Sequence, residues 1–199
     1  MTVAAAPEGL DPMATARLAA APRIAIVGNA GSGKSTLARA LAANPPTRPR
    51  LDLDSIFWEP DAAAQPRPAA AVQADLARFA ADHPRWVIEG CYGELVQAVL
   101  AWRPLLILLD PGVETCLAQC RARPWEPAKF ASRAEQDAQL EPLLAWVADY
   151  EQRDGTMSRR GHEALLAAYE GPRLRLPHRG PPPPLVDILR DLDQGCAER

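Results

Sequence analysis

The sequence predicts an α/β protein whose core is one parallel sheet covered by helices on both faces. Three observations carry this. Short apolar runs recur at residues 24–27, 86–90 and 105–110, brief enough for strands and apolar on both faces, as buried parallel strands are. A helical pattern follows each of them. The alternation repeats at the spacing of βαβ units, whose crossovers are right-handed and place helices on either side of the sheet.

The elements follow in order. Residues 1–22 read as a mobile extension in which Asp11-Pro12 would cap a short helix over 12–20. Residues 24–27 form the first strand. A helix over 34–43 is stopped by Asn44-Pro45-Pro46, because proline cannot continue the hydrogen-bond ladder. Residues 50–54 are a short second strand ending in an acid. Val72, Leu76 and Phe79, spaced by four and three, mark an amphipathic helix over 68–81 that Asp82-His83-Pro84 closes. The third strand, 86–90, precedes a helix over 94–102; the fourth and most apolar strand, 105–110, precedes a helix over 113–123.

Beyond Pro124 the alternation breaks. Leu140, Leu143, Leu144, Val147, Leu165, Leu166 and Tyr169 recur at helical spacing with Arg133, Arg153, Arg159 and Arg160 among them, which predicts a helical lid over about 124–170. Residues 174–176 are the last strand, 181–184 a polyproline connector, 185–192 a closing helix and 193–199 a tail. The expectation is one domain over 23–192, with a doubly wound five-stranded sheet in the order 2-3-1-4-5.

Composition narrows the function. The 199 residues carry 22 basic and 25 acidic side chains, for a net charge of -3. That balance argues against a dedicated nucleic-acid or acidic-membrane binder, which needs an excess of Lys and Arg. No run of about 18 apolar residues is free of charge, and residues 1–22 lack the basic start and apolar segment of a secretion signal; a cytoplasmic protein, monomeric or homodimeric, is expected. Cys91, Cys116, Cys120 and Cys196 form neither a CxxC pair nor a disulfide framework and read as reduced thiols, with Cys116 and Cys120 on one helix face. His83, His162 and His178 stand apart, which disfavours zinc; His162 reads as a helix-surface or lid-packing residue.

The stretch 28–35, Gly28-Asn29-Ala30-Gly31-Ser32-Gly33-Lys34-Ser35, matches GxxxxGK[ST] at every fixed position and lies between a strand and a helix. Glycines allow the backbone N–H groups to turn inward, and the following helix adds the positive end of its dipole, so the loop through Thr36 would receive a polyphosphate. Lys34 would reach the β- and γ-phosphates and the Ser35 hydroxyl would ligate Mg²⁺. The sequence thus predicts a P-loop NTPase fold with ATP and Mg²⁺ as cofactors. It lacks the DxxG and NKxD motifs of GTPases, since Asp110-Pro111-Gly112 puts glycine one position early.

The segments LDLDSIFW (51–58), WVIEGCYG (86–93), LLILLDPGVETCLAQCRAR (105–123) and WVADYEQRD (146–154), taken with the P-loop, resemble the adenylate-kinase-like P-loop proteins of the DNA topology modulation family. The resemblance covers about residues 23–190. It implies a P-loop, a Leu-Asp-x-x-Phe-Trp segment, a Trp-hydrophobic-acid-Gly-x-Tyr-Gly segment and a basic lid. At Gln119 the sequence departs from it, because a further arginine is expected there.

Strand carboxyl ends open onto the binding crevice of such a sheet. Asp54 therefore meets either Mg²⁺ or the acceptor hydroxyl, or serves as a turn cap; Asp52 is a weaker candidate. Glu89, by the resemblance, holds a magnesium-bound water or orients the acceptor. Asp110 is the formal Walker B candidate, with structural capping as its alternative role. Arg123 and Arg153 are candidates to close over the phosphates, or are solvated helix residues. Trp58 and Tyr92 flank the acceptor side as stacking or lining residues. The expected catalytic set is Lys34, Asp54, Glu89, Arg123 and Arg153, and the metal set Ser35, Glu89 and Asp110. The expected activity is phosphoryl transfer from MgATP to a nucleotide, nucleoside or other small hydroxyl acceptor. The alternative is a nucleotide-dependent regulatory ATPase with no acceptor.

Overall fold

A computed structural model describes residues 21–43, 48–59, 65–127 and 130–177. The expected helix over 12–20, the Asn44-Pro45-Pro46 stop, the polyproline connector, the closing helix and the tail lie outside the described residues.

Five strands form one sheet: β1 (Arg23–Val27), β2 (Arg50–Asp52), β3 (Trp86–Gly90), β4 (Leu105–Asp110) and β5 (Arg173–Pro177). Their order is β2-β3-β1-β4-β5 and every pairing is parallel, the order the sequence predicts. The helices are α1 (Lys34–Ala43), α2 (Asp54–Phe57), α3 (Ala69–Asp82), α4 (Gly93–Val99), α5 (Val113–Arg121), α6 (Arg133–Ala138), α7 (Leu140–Ala148) and α8 (Arg159–Ala168).

The two-residue period of the strands sorts the core into two layers. Ala25, Val27, Ile88, Leu106 and Leu108 face Val72, Leu76 and Ala80 of α3, Leu95, Val96 and Val99 of α4, and Tyr169 after α8. Ile24, Ile26, Val87, Leu105, Ile107 and Leu109 face the other way, onto Leu37, Ala38 and Leu41 of α1. Each of these strand residues is at most 5% exposed. With both faces covered, the continuous apolar runs become the central strands, and the register leaves the strand carboxyl ends at one edge.

One expectation needs correction. The second strand stops at Asp52, and Asp54 opens the short helix α2, because the Asp52 carboxylate accepts a hydrogen bond from the Asp54 N–H at 3.0 Å and turns the chain. Asp54 is therefore not a strand-end residue sharing a face with Asp52. The stretch expected as a lid is helical: Val147 and Leu144 of α7 bury against Cys116 and Cys120 of α5, and Leu165 and Leu166 of α8 pack on the main core.

Candidate phosphate-binding site

The loop between β1 and α1 is built by close approach. Gly31 has φ +74°, and a Cβ there would run into the Cys116 carbonyl oxygen and lie 2.7 Å from the Cys120 sulfur, so only glycine lets the loop rest on α5. Gly33, at φ +92°, turns the chain into α1, where the Leu37 N–H donates to the Gly33 carbonyl at 3.0 Å. Cys116 and Cys120 are buried supports for this turn; burial pushes the Cys116 thiol up to about 12 and raises that of Cys120, so both stay protonated near neutral pH.

Lys34 is buried and its ammonium donates to the Asn29 carbonyl at 2.7 Å, spanning the mouth of the loop. Asn29 is 1% exposed; its amide donates to the Val147 carbonyl at 3.0 Å and its side-chain oxygen accepts from the Ala30 N–H at 2.9 Å and from Arg153 at 3.4 Å. The phosphate loop is thus tied to the end of α7. Ser32 is 4% exposed, and its hydroxyl oxygen lies buried without a hydrogen-bond partner. An unpartnered buried hydroxyl within a glycine-lined turn beside a lysine fits a polyphosphate, whose oxygens would satisfy it.

Glu89 is the penultimate residue of β3, paired with Ile26 of β1, and is 1% exposed. Burial raises its pKa, and the neighbouring Asp52 carboxylate, its register partner on β2, raises it further. Lys34, a hydrogen bond with Ser35 and Arg50 oppose the shift. Arg50 reaches Glu89 at 3.3 Å. Ser35 and Glu89 together make an all-oxygen donor pair of the kind Mg²⁺ prefers, with phosphate and water completing its shell. No group of three or more His, Cys, Asp or Glu side chains placed to hold a metal occurs among the described residues, as is usual where substrate oxygens supply most ligands.

On the adjacent side Asp54 accepts a hydrogen bond from the Tyr92 hydroxyl at 2.7 Å. Tyr92 stacks on Phe57, with ring centroids 4.2 Å apart, and Phe57 meets Trp58 edge-on at 4.7 Å. Burial, and then the Asp54 charge, raise the Tyr92 pKa, so it remains a hydrogen-bond donor. Gly90 allows this approach, because a Cβ there would lie 2.8 Å from that of Leu53. Lys34, Asp54 and Arg153 all act electrostatically on the buried Cys91 thiol.

The remaining candidates are already engaged. Asp110 accepts from Arg175 at 2.6 Å and from Arg159 at 3.2 Å, and Glu163 binds the same two arginines. Arg123 pairs with Glu126 at 3.5 Å beside Cys120. Arg153 donates to the Met157 and Trp146 carbonyls and lies 3.4 Å over the Trp146 ring. Gln119 places its side-chain oxygen near Gly33.

Sequence reasoning missed Asn29 as a tether, Ser32 as an orphaned hydroxyl and Arg50 as the partner of Glu89. Of its two readings of His162, helix surface or lid packing, the structure shows a packed residue. That residue is fully buried: its Nε2 faces the Cys91 carbonyl at 2.8 Å and its Nδ1 the Tyr150 hydroxyl at 2.7 Å. A carbonyl only accepts, so Nε2 carries the proton and Nδ1 accepts from Tyr150. A lone histidine in a helical pattern gives no signal of such a role.

No protein-family model matches the chain, and no curated protein matches it in sequence. Among solved structures it is similar to a sugar kinase from Janibacter, at 18% identity over 86% of this chain and 92% of that one, with a TM-score of 0.47. It is also similar to shikimate kinase from Acinetobacter baumannii in complex with shikimate (21% identity, 77% and 96% covered, TM-score 0.40) and to Kti12 from Chaetomium thermophilum in complex with ADP-AlF3 (15%, 88% and 98%, 0.43). Likeness at this level does not speak to the reaction.

Proposed function

We propose that the protein transfers the γ-phosphoryl group of MgATP to the hydroxyl of a small molecule. The observation that carries the reading is a glycine-lined loop with a carboxylate group beside it: Lys34 across the loop, Ser35 acting on the buried Glu89, and Asp54 bonded to Tyr92.

In this reading the loop amides, Ser32 and Lys34 hold the β- and γ-phosphates and stabilise charge that gathers at the bridging oxygen. Ser35 and Glu89 would hold magnesium, which supplies charge neutralisation across the phosphate oxygens. The acceptor oxygen attacks the γ-phosphorus, the bond to the β,γ-bridging oxygen breaks and ADP leaves with that electron pair. The hydroxyl proton passes to the Asp54 carboxylate. Arg153, fixed between Asn29 and the end of α7, positions the loop rather than the transferring group.

The test is ADP release from MgATP with and without a panel of hydroxyl compounds, with products identified by mass. Lys34→Ala is expected to lose MgATP affinity by about 100-fold or more while keeping its fold, as expected for a buried charged contact to phosphate. Retained affinity would sink the assignment. The regulatory alternative draws on the Asn29 tether, which would report loop occupancy to α7; slow hydrolysis indifferent to every compound would favour it.

A further inference from the structure

The turn that follows β3 decides where Tyr92 stands. Tyr92 opens α4, its carbonyl accepting from the Val96 N–H at 3.0 Å, and its hydroxyl donates to Asp54 at 2.7 Å. The residue before it, Cys91, presents its carbonyl to Nε2 of His162 at 2.8 Å. The residue after it, Gly93, lies so close to the Thr156 carbonyl oxygen that a Cβ would collide with it. Both supports come from the chain around the start of α8. There the Ser158 hydroxyl oxygen caps the helix, accepting from the Gly161 N–H at 3.0 Å, and the Ser158 carbonyl accepts from the His162 N–H at 3.0 Å. The first turn of α8, from which the imidazole projects, is thereby fixed. The ring is fully buried, and the Tyr150 hydroxyl on Nδ1 keeps the proton on Nε2, the atom that must donate.

We infer that His162 is a positioning residue: it fixes the Cys91 carbonyl and through it holds the Tyr92 hydroxyl against Asp54. The inference rests on the kinase reading and adds to it a residue that acts through another. The Cys91 carbonyl belongs to the peptide plane that ends at the Tyr92 nitrogen, so a rotation of one moves the other. A carboxylate that takes a proton must stay within hydrogen-bond reach of it, and a displacement of about 1 Å is enough to slow a reaction about 100-fold. An apolar side chain of similar size would fill the same space beneath α8. It would also take the Nε2 donor away from Cys91, and that difference separates positioning from packing.

The experiment compares two variants of the full chain. In His162→Gln the amide nitrogen reaches the place of Nε2 and still donates to Cys91. The shorter side chain of His162→Asn reaches only the place of Nδ1 and keeps Tyr150 instead. Each gives up one hydrogen bond, so urea unfolding should find the two destabilised by similar amounts. The chain carries three tyrosines; with carbon-13 at their Cζ atoms, the Tyr92 resonance is assigned by its loss in Tyr92→Phe and reports the hydrogen bond to Asp54. The expected result is a displaced Tyr92 resonance in His162→Asn alone. For a hydroxyl compound that the native chain phosphorylates, kcat of His162→Asn is expected to lie about tenfold or more below that of His162→Gln, with a smaller change in the KM for MgATP. A Tyr92 resonance displaced equally in both variants, or in neither, overturns the inference, as does an equal kcat in the two. Tyr150→Phe also spares the contact with Cys91 and is expected to leave the Tyr92 resonance in place. Should His162→Asn not fold, Tyr150→Phe and His162→Gln still decide, because a displaced Tyr92 resonance in either overturns the inference. A native chain that phosphorylates no compound overturns the kinase reading alone, since the resonance tests the hold on Tyr92 without turnover.

Discussion

Acid should loosen the junction that holds the crevice in place, and His162 is where it acts. The ring is fully buried and neutral, donating to Cys91 and accepting from Tyr150. Burial, opposed in part by the hydrogen bond to Cys91, brings its pKa from 6.5 down to about 4. The folded value lies below the unfolded one, so the associated stability is fully present above pH 6.5. It is lost as pH falls toward 4, when the unfolded chain takes up the proton first. At about 1.4 kcal/mol for each pH unit, the loss over that window is about 3 kcal/mol, a large part of the stability of a domain. The assay is urea unfolding at pH 7.5, 6, 5 and 4, for the native chain and for His162→Gln. The variant is expected to lose about 1–3 kcal/mol at pH 7.5, because one of its two partners is left short, and to show a shallower fall between pH 6.5 and 4. Parallel curves for the two proteins would refute the reasoning, for they would place the acid sensitivity elsewhere.

Two further outcomes follow from the carboxylates. Glu89→Gln removes a group whose folded pKa is raised, so the native chain loses stability relative to the variant as pH rises above the ordinary carboxylate range; the gap in Tm, measured from pH 4 to 8, should move in favour of the variant while phosphoryl transfer is lost. A gap that moves the other way would contradict the assigned direction. Asp110→Asn loosens the contact among β4, β5 and α8 and is expected to cost about 2 kcal/mol in urea unfolding while the magnesium dependence of turnover is unchanged. A large rise in the magnesium requirement would return Asp110 to the metal.

The fold was legible because its signals are local. Apolar runs at Trp86–Gly90 and Leu105–Asp110 give the same strand bounds in sequence and in structure, and the glycine-lysine-serine loop stands where a strand must meet a helix. What escaped was set by partners distant in sequence. Asp54 is turned out of its strand by an aspartate two residues before it, and His162 is chosen by a carbonyl 71 residues away. The arginines are ambiguous for a related reason. A guanidinium has five donors, and nothing local says whether they meet a phosphate or, as in Arg153, the carbonyls of Trp146 and Met157.

The ammonium of Lys34 rests on the carbonyl oxygen of Asn29, within the loop it would serve. One of the three donors of that ammonium thus ties the head group to the loop's own backbone, and the others can turn toward a nucleotide. The loop would then meet its ligand with the charge already fixed in place, and selectivity would come to depend on the number of oxygens offered together, because a polyphosphate can also engage Ser32 and the surrounding amides.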